Sequence, residues 1–226
     1  MMKSLYEANK TMEVKKNMLV IVAHPDDETL WCGGTMLLHP DLNWFVACLC
    51  RKNDTDRGPK FKEALKVYRA NGIMGNLDDG PEQTPLDKKV VKKAILDLLP
   101  KIDFDLILTH SPLGEYTRHL RHEEIGRGVM DLWSHNKISA KELWIFAYED
   151  GDKKYHPRAI ELVDIQQSLP KNIWHEKYRI ITEIYGFRKS GFEAKTTPKT
   201  EAFWQFKTPK SVKNWLDQEG IKQYNT

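Results

Sequence analysis

The feature that most constrains the fold is the alternation of apolar, strand-length runs with segments of helical periodicity. A continuous apolar run of strand length lies at 18–23, and mostly apolar runs that read as buried strands lie at 43–50 and 104–110. Strands that are apolar throughout, and that alternate with helices, are typical of a parallel sheet covered by helices on both faces. The sequence therefore predicts an α/β fold with a mostly parallel sheet, whose ligand site lies beyond the carboxyl ends of the strands.

The same patterns predict the remaining elements. Helices are expected over 28–38, from Pro59 to a closing Gly72, from a capping box at Thr84 to Pro100, over about 119–133, and over 171–186. Two further strands are expected at 142–149 and 159–165. The pattern weakens after Gly186, which predicts a domain at 1–187 and an extension at 188–226. The extension is expected to pack on the domain, or to form a lid or an oligomer contact.

Composition narrows the class of protein. The 226 residues are 40% hydrophobic and carry 35 basic and 32 acidic side chains, a net charge of +3. This composition excludes a disordered chain and gives no clustered basic excess for nucleic acid. No apolar run reaches the ~18 residues of a membrane span, and the N-terminus lacks the apolar core of a signal peptide. With only three cysteines, we expect a cytoplasmic protein.

An unusual group of charges follows the first strand. His24, Asp26, Asp27 and Glu28 come directly after "LVIVA", where neighbouring carboxylates would repel one another. His24 and Asp27 are three residues apart across a proline turn, so both can converge on one point. A bound dication would offset the acids. The non-functional alternative is a helix-capping turn with a cluster of acidic residues on the surface.

A second polar loop follows the strand at 104–110. It contains His119 and His122, which share a face if they lie on a helix. If the two strands are neighbours, His24, Asp27 and His122 can supply two imidazoles and one carboxylate to a metal. Three protein ligands leave a position for water, as in catalytic zinc sites. A histidine pair at this spacing is by itself more often a surface or core feature.

The two remaining polar groups suit catalysis. Asp26 is adjacent to a ligand and can act as general base toward a metal-bound water. His119 can orient a carbonyl, stabilise its oxyanion or protonate a leaving amine. We assign Glu28 to structure, near the positive end of a helix.

The motif Ala23-His-Pro-Asp-Asp-Glu28 after a buried strand resembles the signature of the PIG-L/LmbE-like family of metal-dependent de-N-acetylases. The resemblance covers about 18–186. The second motif is altered, because members commonly read His-Pro-Asp-His and this chain has Leu120 and Arg121 between its two histidines.

The resemblance implies a Rossmann-like fold, Zn²⁺ held by His24, Asp27 and His122, Asp26 as general base, and His119 as the group that assists the oxyanion or amine. It also implies hydrolysis of an N-acetyl group from an N-acetylglucosamine-type conjugate. The substrate contacts that it implies are Lys60, in place of an arginine in an Arg-x-x-Glu pattern, Asp78 or Asp79, Tyr116 and Arg121. Arg121 would either oppose protonation of His119 or bind a substrate phosphate or carboxylate.

Other interpretations remain open at this stage. Two histidines and one carboxylate also suit Fe²⁺ or another divalent metal. The chain could be a metal-dependent amidase for a different N-acyl substrate, or a non-catalytic binding protein for a sugar conjugate with a vestigial site. A homo-oligomer is also possible.

Overall fold

The structure is a computed structural model, described for residues 15–117 and 119–224, with side chains as far as residue 217. Residues 1–14, on which the absence of a signal peptide was predicted, lie outside the described residues. The strands are β1 (Asn17–Val22), β2 (Asn43–Cys48), β3 (Asn71–Met74), β4 (Phe104–Thr109), β5 (Ala140–Phe146), β6 (Tyr148–Glu149), β7 (Arg158–Ala159), β8 (Ile165–Ser168) and β9 (Thr200–Phe206). The helices are α1 (Asp27–Leu38), α2 (Arg57–Tyr68), α3 (Lys88–Leu98), α4 (Leu120–Ser134), α5 (Lys171–Arg179), α6 (Phe192–Thr196) and α7 (Pro209–Tyr224), and a π-helical segment (Ile180–Ile184) continues α5.

Seven of the strands form one sheet in the order β3-β2-β1-β4-β5-β9-β8. The first five are parallel, whereas β9 is antiparallel to both of its neighbours. The short strands β6 and β7 pair separately. The predicted α/β fold with a mostly parallel sheet is therefore confirmed.

The apolar strands are buried because helices cover both faces of the sheet. In β1, Met18, Val20 and Val22 belong to one core cluster, and Leu19 and Ile21 belong to the other. Residues of α1, α2 and the π-helical segment complete the first cluster, and residues of α3, α4 and α7 complete the second. A strand that is apolar at every position therefore packs alternate side chains into the core clusters on the two faces of the sheet. No helix among the described residues is long and apolar enough to cross a membrane.

The prediction that Gly72 closes the second helix is wrong. Helix α2 ends at Tyr68, and Arg69 takes the left-handed conformation with a φ of 53°. Gly72 instead lies in β3, which the sequence patterns did not predict. A Cβ at this glycine would lie 2.7 Å from the carbonyl oxygen of Val46 on the neighbouring strand. Close approach of two strands, not helix termination, therefore accounts for this glycine.

The predicted capping box at Thr84 is also wrong. Helix α3 begins at Lys88, and the side chain of Asp87 accepts the N–H of Lys89 at 2.6 Å. The carbonyl oxygen of Thr84 accepts a hydrogen bond from Arg121, which draws this segment toward α4. A tertiary contact therefore holds the residues that the local pattern assigned to a helix start.

The strand expected at 159–165 is mostly wrong. Only Ala159 and Ile165 of that range lie in strands, and Leu162 is exposed. The side chain of Gln166 donates to the carbonyl oxygens of Ile160 and Glu161, which holds this stretch as a local turn. The division at residue 187 remains a prediction, and β9 beyond it is an internal strand of the main sheet.

Candidate metal centre

The two histidine-containing loops meet where the strand order reverses. Strands β1 and β4 are neighbours, but the chain continues from β1 toward one edge of the sheet and from β4 toward the other. Ligands of open α/β sheets bind in the crevice that this reversal creates. His24 and Asp27 follow β1, and His122 lies in the first turn of α4, after β4. The topology therefore brings both motifs to one crevice.

Three side-chain atoms in this crevice form a nearly equilateral triangle. His24 Nδ1 lies 3.2 Å from Asp27 Oδ2 and 3.2 Å from His122 Nε2, and the latter two atoms are also 3.2 Å apart. A tetrahedral zinc ion with bonds of about 2.0–2.1 Å separates its ligand atoms by about 3.3–3.4 Å. The sides of the triangle therefore match the spacing that zinc requires, with an open fourth position. The residues present fit the metal that the sequence resemblance implies.

Two other groupings are possible by proximity: His24, His119 and His122, and Asp27, His110 and His122. The second is the weaker donor set, because Nε2 of His110 accepts the N–H of Ala23 at 3.0 Å and Nδ1 faces Glu115. The first omits the carboxylate of Asp27, which lies 3.2 Å from a ring nitrogen of both His24 and His122. The triangle is therefore the preferred set, and His119 lies beside it, with its ring centroid 4.2 Å from that of His122.

The carboxylate of Asp27 is held by neighbouring donors. Its Oδ1 accepts the indole N–H of Trp31 at 3.1 Å, and its Oδ2 accepts the backbone N–H of His24 at 2.8 Å. Burial raises the pKa of Asp27, but the adjacent imidazoles of His122 and His110 outweigh it and hold the pKa well below its usual range. Asp27 is therefore oriented and ionised, as a metal ligand must be.

The other ring nitrogen of His24 faces Asp79. Its Nε2 lies 3.1 Å from Asp79 Oδ1, without good hydrogen-bond alignment, and Arg51 Nη2 donates to Asp79 Oδ2 at 2.6 Å. Burial raises the pKa of Asp79, but its contacts with His24, Gln83 and Arg51 together outweigh burial and lower the pKa. Asp79, which was predicted as a substrate contact, thus contacts a predicted metal ligand and also lines the pocket.

Arg121 fastens the loop that carries Asp79. It is fully buried, and its guanidinium donates to the carbonyl oxygens of Asp78 and Thr84 and to Glu124 Oε2. These contacts tie residues 78–84 to α4. The guanidinium does not line the pocket, so neither role expected for Arg121, contact with substrate or opposition to His119, has support in this geometry.

Asp26 has an unusual backbone. Its φ of 125° and ψ of −27° lie in a region that residues other than glycine rarely adopt. Its N–H donates to Glu28 Oε2 at 3.0 Å, and Glu28 is itself buried and accepts the hydroxyls of Thr29 and Tyr185. Glu28 is therefore structural, in keeping with its assignment from sequence. Burial, with the adjacent charge of Asp27, raises the pKa of Asp26 well above its usual range.

His119 precedes α4 and is half-buried beside the triangle. Its Nδ1 is buried without a hydrogen-bond partner. Burial, followed by the nearby His122 and His24, lowers its pKa to about 3. His119 is therefore a neutral imidazole, which can donate one hydrogen bond but does not start as an acid.

Two residues of the triangle, His24 and Asp27, line a pocket of about 340 Å³, and the fully buried His122 lies behind them. The residues that line it are His24, Pro25, Asp26, Asp27, Leu30, Arg51, Arg57, Asp79, Gly80, Pro81, Gln83, Tyr116, His119, Phe187, Phe192 and Glu193. Tyr116 and Asp79, two of the predicted substrate contacts, are on this wall, and their role stays a prediction. Lys60 and Asp78 are not: Lys60 pairs with Asp56 at 2.7 Å, and the side chain of Asp78 is 64% exposed.

Unpaired polar atoms converge on this pocket. Among the described residues, five buried side-chain atoms have no aligned hydrogen-bond partner, and four belong to residues of the pocket wall. These four are His24 Nε2, Arg57 Nη1, Gln83 Oε1 and His119 Nδ1. Buried polar groups are nearly always paired in a folded protein. The clustering of exceptions therefore marks a site that is completed by a ligand.

Sequence reasoning missed several residues of this site. Arg57 lies over the ring of Phe187, with 4.4 Å between the guanidinium carbon and the ring centroid, and Phe192 contacts the ring of Tyr116. Glu115 contacts His122 at 2.7 Å. The signal for Glu115 was its place between the strand end and the two histidines. No local sequence pattern marks Phe187 or Phe192, because tertiary contacts bring them to the pocket from a distant part of the sequence.

Comparison with known proteins now identifies the family. Residues 19–133 match the family model described as PIG-L, GlcNAc-PI de-N-acetylase, so this chain belongs to that family. A probable N-acetylglucosaminyl-phosphatidylinositol de-N-acetylase of Dictyostelium discoideum is 28% identical over 138 residues, 56% of this chain. The chain spans 52–65% of the length of the curated relatives it matches.

Solved structures share the fold. The N,N'-diacetylchitobiose deacetylase of Pyrococcus horikoshii is similar with a TM-score of 0.65 at 15% identity, and the match covers 85% of this chain and 84% of that one. The 4-carboxy-2-hydroxymuconate hydratase GalB of Pseudomonas putida is similar with a TM-score of 0.58 at 15% identity, covering 84% and 95%. Because a deacetylase and a hydratase both have this fold, the reaction must be argued from the site.

Proposed function

We propose that this protein is a zinc-dependent hydrolase that removes the N-acetyl group from an N-acetylglucosamine-type sugar conjugate. The observation that carries the proposal is the 3.2 Å triangle of His24, Asp27 and His122. Asp26 lines the same pocket as His24 and Asp27. Membership of the PIG-L family and the names of two deacetylase relatives support an amino-sugar substrate. A cytoplasmic location is part of the proposal, supported by the three buried thiols.

Zinc bound by these ligands would polarise the amide carbonyl and lower the pKa of a bound water. Asp26 would take the proton from the attacking water, and its raised pKa suits a group that later delivers that proton to the departing amine. Neutral His119 would donate a hydrogen bond to the developing oxyanion. Of the three roles considered for His119, the neutral form favours oxyanion stabilisation over amine protonation.

The pocket wall supports a polar, hydroxyl-bearing ligand. Gln83 offers an unpaired acceptor and Arg57 an unpaired donor, whereas Tyr116 and Phe192 present aromatic surface. A sugar has hydroxyl groups around its edge and apolar C–H groups on its faces, so it can use both kinds of surface.

The decisive experiment measures bound metal and released acetate on the same preparations. Wild type is expected to hold about one zinc per chain and to release acetate from N-acetylated sugar conjugates. His122→Ala should lose both properties, whereas His175→Ala, at an exposed histidine, should keep both. Asp26→Asn should retain zinc and lose acetate release by about 10²–10⁴-fold.

The outcomes separate the competing functions. Zinc bound by wild type without acetate from any N-acetyl sugar conjugate would refute the deacetylase and favour an amidase with another N-acyl substrate. Oxygen-dependent turnover with Fe²⁺ would favour an iron enzyme. Sugar-conjugate binding that is unaffected by chelators would favour a binding protein with a vestigial site.

A further inference from the structure

Glu115 lies at the centre of a buried hydrogen-bond chain behind the metal ligands. Its Oε1 accepts the backbone N–H of Ser111 at 2.9 Å. Its Oε2 lies 3.0 Å from Nδ1 of His110 and 2.7 Å from Nδ1 of His122. Glu115 and both histidines have no exposed surface. One carboxylate oxygen therefore serves two histidines, only one of which belongs to the triangle.

The positions of the protons in this hydrogen-bond chain follow from two backbone N–H groups, which can only donate. The N–H of Ala23 points at Nε2 of His110 from 3.0 Å, so that nitrogen must supply a lone pair. The proton of a neutral His110 is then on Nδ1, where it is donated to Glu115. The Ser111 N–H is the second fixed donor, so Glu115 accepts at both oxygens and is a carboxylate.

This assignment determines the state of His122. A carboxylate oxygen at 2.7 Å from Nδ1 requires that Nδ1 carries a proton. Nε2 of His122 then carries a lone pair, and this is the atom that lies 3.2 Å from both His24 Nδ1 and Asp27 Oδ2. The rings of His110 and His122 are stacked with centroids 3.9 Å apart, so neither can turn without displacing the other.

We propose that Glu115 is the positioning residue of the metal centre, and that the His110–Glu115 pair fixes His122 in the tautomer that presents Nε2 to the metal. Through the Ala23 N–H, the pair also joins the end of β1, next to His24, to the first turn of α4. This hydrogen-bond chain therefore sets the position of His24 relative to His122 before any metal binds. The inference rests on the proposed function only in naming the metal.

Glu115→Gln tests the proposal with almost no change in shape. A glutamine has one acceptor oxygen, so its amide group must face a donor, either the Ser111 N–H or the two histidines. We expect zinc affinity, measured by competition with a chromophoric chelator, to fall about 10–100-fold. Glu115→Asp, which keeps the charge but is shorter, should lose less. Glu183→Gln, at an exposed glutamate, should match wild type.

A second readout depends neither on activity nor on the folding of Glu115→Gln. Long-range ¹H–¹⁵N spectra of the zinc-free wild type, with His122→Asn for assignment, report which ring nitrogen of His122 carries the proton. We expect it on Nδ1. A proton on Nε2, or wild-type zinc affinity in a folded Glu115→Gln, would overturn the proposal. If wild type binds no zinc, the proposed function fails, while the tautomer still decides this inference.

Discussion

Replacing Arg121 by methionine tests whether this residue, between the two histidines, stabilises the site by fastening the 78–84 loop to α4. The side chain has no exposed surface, and its guanidinium serves two carbonyl oxygens of the 78–84 loop and the Glu124 carboxylate. Methionine fills much of the same volume but leaves these three acceptors without their donor. The change therefore isolates the hydrogen bonds from the packing.

The magnitude follows from the partners that remain. Removing one member of a buried ion pair costs about 3–5 kcal/mol. Glu124 is 14% exposed and can recover some hydration, so we expect the free energy of unfolding to fall by about 3–4 kcal/mol. For a chain of this length, that corresponds to a decrease in Tm of about 6–16 °C.

The Arg121→Met substitution should also weaken zinc binding. Asp79 is part of the loop that Arg121 fastens, and it faces Nε2 of His24 at 3.1 Å. A loosened loop should orient His24 less well, so zinc affinity should fall by about tenfold. Urea unfolding of the zinc-free protein gives the first quantity, and chelator competition gives the second. Arg188→Met, at an exposed arginine, is the control. A loss of stability below about 1 kcal/mol, or unchanged zinc affinity in a clearly destabilised variant, would refute the reasoning.

Three further predictions concern the framework around the site. Lys177→Met should lower the free energy of unfolding by about 3–5 kcal/mol in urea titrations, because it removes the ammonium that lies 2.7 Å from the fully buried Glu201 carboxylate and leaves that charge with only neutral donors, from Gly34 and Thr35. Adding Glu201→Gln should recover part of this loss, and purely additive losses would contradict the pairing. Gly126→Ala should lower the free energy of unfolding by about 1–3 kcal/mol, since the new Cβ would lie 2.5 Å from the carbonyl oxygen of His110. Gly58→Ala, where the nearest atom is 3.8 Å away, should be neutral or slightly stabilising. Equal thermal stability of the two variants would refute the close contact. Asp26→Gly should be about 1–3 kcal/mol more stable than Asp26→Asn, because only glycine adopts the φ of 125° without strain, and equal unfolding midpoints would count against strain at this position.

The sequence was sufficient for the parts of the site that local patterns determine. Apolar runs predicted β1 and β4, and the polar residues after each run predicted which loops would meet. The neighbourhood of these two strands was an assumption, and the sheet order bears it out. His24, Asp27 and His122 converge because parallel strands end at the same edge of a sheet. Their role as metal ligands remains a proposal.

The residues that support the ligands could not be predicted in the same way. Arg121 reaches carbonyl oxygens 37 and 43 residues earlier in the chain, and no periodicity signals such a contact. The four-residue strand β3 contains a glycine and one buried apolar side chain, too little for a strand pattern. Strand β9 lies in a region where isolated aromatics and prolines obscure the alternation. In each case tertiary contacts, which local patterns do not contain, decided the structure.

The strained backbone of Asp26 follows from what the loop must do. The two proposed ligands His24 and Asp27 are three residues apart and approach each other at 3.2 Å, while Asp26 between them lines the pocket. The chain achieves this with a φ of 125°, which costs about 1–3 kcal/mol. Glu28 offsets that cost, because it accepts the Asp26 N–H at 3.0 Å and is itself fixed by two hydroxyl donors at 2.6 and 2.7 Å. The third consecutive acid therefore supports the backbone of the first, which we propose as the base: without the buried carboxylate of Glu28, we expect the turn to relax and Asp26 to leave its place in the pocket.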